Sequence, residues 1–519
     1  MKDQQALRTE TLLEQLTGCK EPEALFAPGH VAIGISEDAA RLTQGQMIVS
    51  FAVNLVARLF PVVQELLIVV PPNIKVLTRL PRWASPTLDE HITLLLTELK
   101  PPVRWAIAAS QLKLPANTVW IGTPPEGVQP AVLIGSDGWY AFVSPDEPMK
   151  VGAANPIGAY TAACFAAAEL WKGLLLPHRH LFEKVPIASC ERTLAFSTYS
   201  YQLGLGQPNP PLLETIDLGR VSFIGVGAGG GAAAFALASL PDLQGILNLI
   251  EPDEIEPPNL NRYVFATAND ASQKLPKAVV VGQLFNGLHG LTIRPFVLPF
   301  REALPVLTTA DLEYVSAAVH SREARRELQF ETPRVLWDAG ATQDGEFRIW
   351  RLILGQTECM HCKHPIAEDP EQRKAEQLTK LLGLNPDTWR RKIRDNEKFT
   401  EGEIRCIEQH RPADAQFHLP KSAQRFGDWE AEQCGRLVLP DIDDEIPLPF
   451  APVLAGVLIA GEVIKERYFP DAVLDSYYWN TLVGHFMTRN RPYRRRPHPN
   501  CSFCTDPVYL EQYTRFWTE

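Results

Sequence analysis

The chain is short of basic charge. Its 519 residues hold 50 Lys and Arg against 61 Asp and Glu, a formal net charge of -11, and the pI is near 5.7. Nucleic acids and anionic membranes attract basic surfaces, so this balance weighs against both as partners. An apolar leader is lacking too. The opening MKDQQALRTETLLEQ has no hydrophobic core, and no signal peptide is expected. Cysteine is scarce: there are nine, an odd number. A reducing, cytoplasmic setting is expected, and clustered cysteines are read as metal ligands or catalysts before disulfides. One uncharged run, Val221 to Leu240, is long enough to mimic a membrane helix. It opens like a strand and carries a glycine cluster, so no span is predicted. What remains is an ordinary globular mix, 45% hydrophobic and 21% charged, with length enough for more than one core.

The apolar pattern alternates strands and helices. Val31–Ser36, Leu42–Phe60 and Glu65–Pro71 read as strand, helix and strand, and further strands follow at Trp105, Thr118 and Ala131. A Pro-led, small-residue helix runs from Asn155 to about Leu176. The breaker-rich GLGQPNPP at 204–211 marks a boundary. The pattern then restarts: strands at Arg220–Gly225, Gly245–Ile250, Thr292–Val297, Val315–Val319, Arg334–Trp337 and Phe347–Trp350, with helices between them. An apolar, Pro-led helix from Pro447 to Lys465 closes the series. The shared order points to a divergent internal duplication, two doubly wound α/β domains of Rossmann type. Residues 1–205 form the first, in which Ser36-Glu-Asp-Ala-Ala40 replaces any glycine loop and its acids would repel phosphate. Residues 206–519 form the second. Between Lys363 and Leu437 the composition turns polar, with one helix at Gln372–Leu382 and then irregular sequence. This reads as a mobile insertion over 365–437.

Three motifs carry chemistry. Gly225-Val-Gly227-Ala-Gly229-Gly230 lies between a predicted strand and helix, where glycines permit a tight turn and close approach of backbone to phosphate. Glu251 ends the next strand, where an acid can hold ribose hydroxyls. By itself this fits NAD equally well. The loop that follows adds Asp253, Asn259, Asn261, Arg262, Tyr263, Lys274 and Lys277. Its cations suit a triphosphate and the charge developing on it, which a dehydrogenase does not need. Finally, Cys359-Met-His-Cys362 and Cys501-Ser-Phe-Cys504 are two CxxC knuckles that fit a closed structural zinc site, a redox dithiol being the alternative.

In this order, from Arg220 to Cys504, these elements resemble the ThiF/MoeB-type adenylation domain of ubiquitin-like-protein activating enzymes. The resemblance implies ATP and Mg²⁺ as reactants, structural Zn²⁺, and activation of a C-terminal glycine as an acyl-adenylate. It implies that Gly225, Gly227, Gly230, Glu251, Asp253, Asn259, Arg262, Lys274 and Lys277 hold the nucleotide, with Arg262 and Lys277 acting in catalysis. A thioester on a cysteine would follow. Cys434, before the apolar helix in the crossover insertion, is the first candidate; Cys406 is the second, and a chain without a catalytic cysteine is the third. A ubiquitin-like protein and a conjugating enzyme are the implied partners. One intact and one degenerate domain resemble the paired domains of such enzymes, also known in bacterial ubiquitin-like operons, and imply a monomeric pseudo-dimer. Arg41 is the candidate for the arginine that a partner domain lends to the γ-phosphate.

Departures from the family stand beside the matches. Tyr263 occupies the place of a Gln, and His320 that of a Mg²⁺-binding Asp. His is a poor ligand for magnesium, which leaves Asp338 or Asp253 to compensate or the catalysis weakened. The basic run Arg489–Arg496 suits a solvated edge or an acidic partner better than RNA. The rival readings are adenylation without a thioester, a non-catalytic scaffold for a ubiquitin-like protein, and an NAD-dependent oxidoreductase.

Overall fold

A computed structural model describes residues 5–19, 21–110, 113–182, 185, 187–319, 322–342, 345–364, 370–412, 417–433, 446–482, 496–499 and 501–518. The chain forms two compact units, 1–363 with 446–519, and 364–445.

The large unit contains two seven-stranded sheets. The first is built from β1 (His30–Ile35), β2 (Glu65–Val69), β3 (Arg104–Ala108), β4 (Asn117–Ile121), β5 (Val132–Asp137), β6 (Tyr140–Ser144) and β7 (Leu194–Ser197). The second comprises β8 (Ile216–Ile224), β9 (Leu243–Ile250), β10 (Leu291–Phe296), β11 (Tyr314–Ala317), β12 (Val335–Ala341), β13 (Glu346–Leu352) and β14 (Ser476–Asn480). Strand order is β3-β2-β1-β4-β5-β6-β7 in one and β10-β9-β8-β11-β12-β13-β14 in the other, the same path walked twice. In each sheet five strands run parallel and the last two turn antiparallel. The inner strands are apolar on both faces, as parallel strands between two layers must be. The outermost strands, β7 and β14, are not among the runs expected from the apolar pattern; each joins its sheet only after a long excursion of chain.

Helices line the seam between the sheets. In chain order those used below are α1 (Leu7–Thr17), α2 (Glu37–Ala40), α3 (Thr43–Val56), α4 (Leu88–Leu99), α5 (Pro156–Leu175), α6 (Ala228–Ala238), α7 (Lys277–Gln283), α8 (Arg322–Phe330), α9 (Pro370–Leu382), α10 (Pro386–Asp395), α11 (Glu401–His410), α12 (Phe426–Gln433), α13 (Phe450–Tyr468) and α14 (Pro507–Trp517). The Pro-led pair α5 and α13 occupy equivalent places, and each carries a buried Glu-x-x-Lys ion pair. Glu169–Lys172 is 2.6 Å and Glu462–Lys465 2.5 Å. The halves share one core: Phe51 stacks on Tyr160 at 4.2 Å and leans on Phe235 at 5.4 Å, and Phe196 packs on Trp479 at 5.1 Å. Two Rossmann-like domains fused in this way form the expected pseudo-dimer within one chain.

In the first half Ser36 caps α2 by accepting from the amide of Ala39 at 3.3 Å, with Glu37 and Asp38 in the first turn. A side-chain oxygen and two acids thus sit where the second half turns on glycine. The charge-free run Val221–Leu240 divides between β8 and α6, and among the described residues no helix is long and apolar enough to cross a membrane.

The small unit corrects the reading of irregular sequence after Leu382. Helices α9 to α12 enclose their own core, with Trp389, Phe399, Ile407, Phe426 and Trp429 buried. Their surfaces are so densely charged that the sparse aromatic core hardly shows in the sequence.

One buried titratable group makes stability depend on pH. His91 of α4 is wholly buried, its Nε2 2.6 Å from Ser50 Oγ and its Nδ1 against the Trp83 carbonyl. Burial pushes its pKa down from 6.5 to about 4. The unfolded chain binds this proton below pH 6.5 and the folded one resists until about 4, so the stabilisation is full above 6.5 and fades as pH falls through 4. Acidification across that window is expected to cost up to about 3 kcal/mol at this residue. Denaturant unfolding of wild type and His91→Gln will check this; the variant should lose stability less steeply, and equal slopes would refute it.

Candidate active site and metal centre

The cradle begins where β8 ends. Gly225 takes a left-handed turn (φ 85°), and a Cβ there would stand 2.6 Å from the Ala318 carbonyl. The chain turns through Val226 and Gly227 into α6. Gly230 packs so close that a Cβ on it would meet the Gly225 carbonyl at 2.1 Å. The N-cap, Gly227, offers no side chain to the first turn, so the helix amides stay available to an anion.

Glu251, at the end of β9, faces this turn. Its Oε2 accepts from the Val226 amide at 3.0 Å and its Oε1 from the Asp253 amide at 3.2 Å. Burial raises its pKa while Lys277 opposes the rise. Lys277 opens α7 with Nζ 2.7 Å from Asp253 and 3.8 Å from Glu251. Burial works to lower its pKa, but Tyr263, Glu251 and Asp253 outweigh it and the ammonium is held charged. Arg262 is buried, donating to Asn261 Oδ1 at 2.8 Å and the Pro258 carbonyl at 3.3 Å. Burial lowers its pKa to about 10, above neutrality still. Arg262 and Lys277 both stand over the Tyr263 ring, 5.0 and 5.6 Å from its centroid.

Gly225, Gly227, Gly230, Glu251, Asp253, Arg262 and Lys277 therefore converge. Asn259 is engaged otherwise: its Oδ1 accepts from the Glu256 amide at 2.9 Å in a capping box. Lys274 stands exposed on a left-handed residue (φ 50°), and its ammonium makes no ion pair among the described residues. Arg41 is exposed and bound to Glu37 of its own helix turn at 2.5 Å. From the first half, helix α1 packs its Thr9 on the loop, and Arg8 precedes it in sequence. Thr9 Oγ1 accepts from Asn261 at 3.2 Å. The charge of Arg8 depresses the Arg262 pKa, and its buried Nε has no hydrogen-bond partner among the described residues. Cys434 and His320 lie outside the described residues, as does the basic run through Arg495. Asp338 is wholly buried and ion-paired with Arg325. It is thus a poor donor to Mg²⁺.

The loop carrying Arg262 is pinned by the first half. Arg58, in the turn just past the end of α3 and buried, donates to the carbonyls of Leu260 at 2.6 Å and Ala266 at 2.9 Å, and to Asn54 Oδ1 at 2.9 Å. Asn54 in turn donates to the Val264 carbonyl at 2.8 Å. Arg82 grips Asp270 at 2.6 Å a few residues further on. Nothing in the sequence singles out these residues, since each looks like an ordinary polar position on a helix or loop.

The metal centre is separate. The Sγ atoms of Cys359, Cys362, Cys501 and Cys504 lie within 4.8 Å of one another, with 3.6 Å between 359 and 501 and 3.5 Å between 362 and 504. A tetrahedron with Zn–S bonds of about 2.3 Å has edges of about 3.8 Å, so four thiolates here could hold zinc. The knuckles bring α14 back to the domain, where Trp517 Nε1 donates to the Thr332 carbonyl at 2.7 Å and Tyr513 to that of Arg334 at 2.8 Å. His361 stacks on Phe503 at 4.5 Å, a packing neighbour and not a fifth ligand.

Residues 199–503 match the ThiF family, and residues 30–180 match the BilD N-terminal domain. An uncharacterised protein of Sinorhizobium fredii, y4jF, is 26% identical over 504 residues, spanning 93% of this chain and 91% of its own.

Elemental analysis should find one zinc per chain, lost in Cys362→Ser, with α14 then cleaved early in limited proteolysis. Metal-free wild type that is equally protected would contradict a structural site.

Proposed function

The chain belongs to the ThiF family, and from that premise we propose that it uses ATP to adenylate the C-terminal glycine of a ubiquitin-like protein. Members of the family act with ubiquitin-like or sulfur-carrier proteins, and ATP use and an adenylyltransferase-type activity are consistent with it. One observation carries the reading here: Arg262 and Lys277 gather over the Tyr263 ring beside an uncapped glycine turn, and Glu251 is fastened to that turn.

The terminal carboxylate attacks the α-phosphorus, the bond to the β-phosphate breaks, and pyrophosphate leaves as an acyl-adenylate forms. Charge accumulates on the phosphoryl oxygens in that passage. Arg262 and Lys277, fixed and partly desolvated, stabilise it more in the transition state than in the ground state. A strip of sheet lies beside the turn for the incoming tail. Ile224, Ala317 and Asp338 are in register across β8, β11 and β12, so β12 stands about 10 Å from β8. One step further along β12, Gly340 has no atom of the described residues within 4 Å of a Cβ built on it. It lies opposite Arg348, which Tyr478 flanks at 5.5 Å.

The second step is thioester formation: a thiolate attacks the acyl carbon and AMP leaves, the acyl group then passing to a conjugating enzyme. Cys434 precedes α13, whose Gly456 lies so close to the glycine turn that a Cβ on it would meet the Gly229 carbonyl at 2.0 Å. Cys406, on α11, packs partly against the small unit's core with Sγ 3.7 Å from His410 Nδ1. Cys434 is kept as the first candidate for its sequence position before α13, and Cys406 as the second. The rival, adenylation without a thioester, differs only in this second step.

Pyrophosphate exchange into ATP, dependent on a ubiquitin-like protein ending in glycine, tests the first step. Arg262→Ala and Lys277→Ala should each reduce it about 100-fold or more. Cys434→Ala should keep exchange and lose a thiol-reducible adduct. An adduct that persists in that variant would move the nucleophile elsewhere, and exchange unaffected by Arg262→Ala would overturn the site.

A further inference from the structure

Tyr263, the residue that departs from the family's Gln, is buried at the centre of the cradle. Its ring lies nearly parallel to that of Phe265, centroids 5.3 Å apart at 20°. That stacking, with Arg262 and Lys277 over the ring, fixes the phenol in place. The hydroxyl reaches over the start of α6, where a Cβ on Gly227 would lie 3.3 Å from it.

Its hydroxyl makes no side-chain hydrogen bond among the described residues. A phenolic oxygen has one proton to give and lone pairs to receive with. The Arg262 guanidinium lies over the ring and gives its own hydrogen bonds to Asn261 and Pro258, not to the hydroxyl. Arginine and protonated lysine are donors only, so neither flanking cation can take the hydroxyl proton. Among the described residues that proton finds no acceptor. A donor held between two cations, at the uncapped N-terminus of an 11-residue helix, awaits an anionic oxygen.

We propose that the Tyr263 hydroxyl donates to a non-bridging oxygen of the α-phosphate, orienting that phosphorus for attack between the two cations that flank its ring. It is a phosphate-contacting residue peculiar to this chain. The family's Gln, with an amide that both donates and accepts, can serve the same position. The inference rests on the adenylation reading for the identity of the nucleotide.

The test compares wild type, Tyr263→Phe and Tyr263→Gln in binding of ATP, AMP and adenosine by calorimetry, and in the kcat and KM of pyrophosphate exchange. Tyr263→Phe keeps the ring beneath both cations and removes only the hydroxyl. It should weaken ATP and AMP about tenfold and leave adenosine and the melting temperature unchanged. Tyr263→Gln should recover most of the loss, in binding and in kcat. Unchanged ATP and AMP affinity in Tyr263→Phe would overturn the proposal, as would a loss confined to ATP, which would put the hydroxyl at the β- or γ-phosphate. Should Tyr263→Phe fold poorly, weak AMP binding by a well-folded Tyr263→Gln would overturn the claim that a side-chain donor suffices there. Wild type that binds ATP but exchanges no pyrophosphate with a glycine-ended partner refutes the adenylation reading and leaves the binding comparison intact. Wild type that binds neither ATP nor AMP refutes both.

Discussion

A single buried guanidinium ties the two halves of this protein into one site. Arg58 is buried and recovers the cost of desolvation by donating to the Leu260 and Ala266 carbonyls and to Asn54. Those two carbonyls bracket the turn that carries Arg262 and Tyr263. Without Arg58 they would be buried and unpaired, at roughly 1–3 kcal/mol each. The loop is a poor candidate for rigidity by itself, being 3-10 turn and irregular backbone between β9 and α7. Burial and Arg82 lower the Arg58 pKa to about 9, so it remains a cation at neutrality. The first half therefore supplies no cradle of its own but holds the second half's cradle in shape.

That division of labour explains what the duplication kept and what it lost. Both copies keep the strand order, the Pro-led seam helix and the buried Glu-x-x-Lys pair. Those features build the shared core, and both copies need them. Only the second keeps the glycine turn. Its counterpart closes on Ser36, whose hydroxyl satisfies an amide that a phosphate would otherwise take. The helices α9 to α12 form a unit with a core of their own, interrupting the second copy without sharing in its packing core.

Much of this was legible in the residues, for identifiable reasons. Gly225 and Gly230 are fixed by sterics within a few residues, and steric rules read well from sequence. Paired CxxC knuckles declare themselves because thiolate spacing is set by the ion. Arg58 was illegible because its partners lie some 200 residues away, and nothing local marks an arginine just past a helix end that will be buried against carbonyls. Arg41 looked the better choice since it starts a helix beside the degenerate loop, yet Glu37 one turn earlier neutralises it. Asn259 had the right identity and the wrong occupation, its oxygen committed to a cap. Tyr263 read as a departure, and only its placement between two donors gives it a task.

The claim at the centre is that the cations gathered beside the glycine turn face one triphosphate. A crystal structure of the full chain soaked with a non-hydrolysable ATP analogue tests it most directly. The account predicts phosphate oxygens within hydrogen-bonding distance of Arg262 and Lys277, with the ribose on Glu251. A nucleotide bound elsewhere, or bound here with Arg262 and Lys277 turned away, would contradict it.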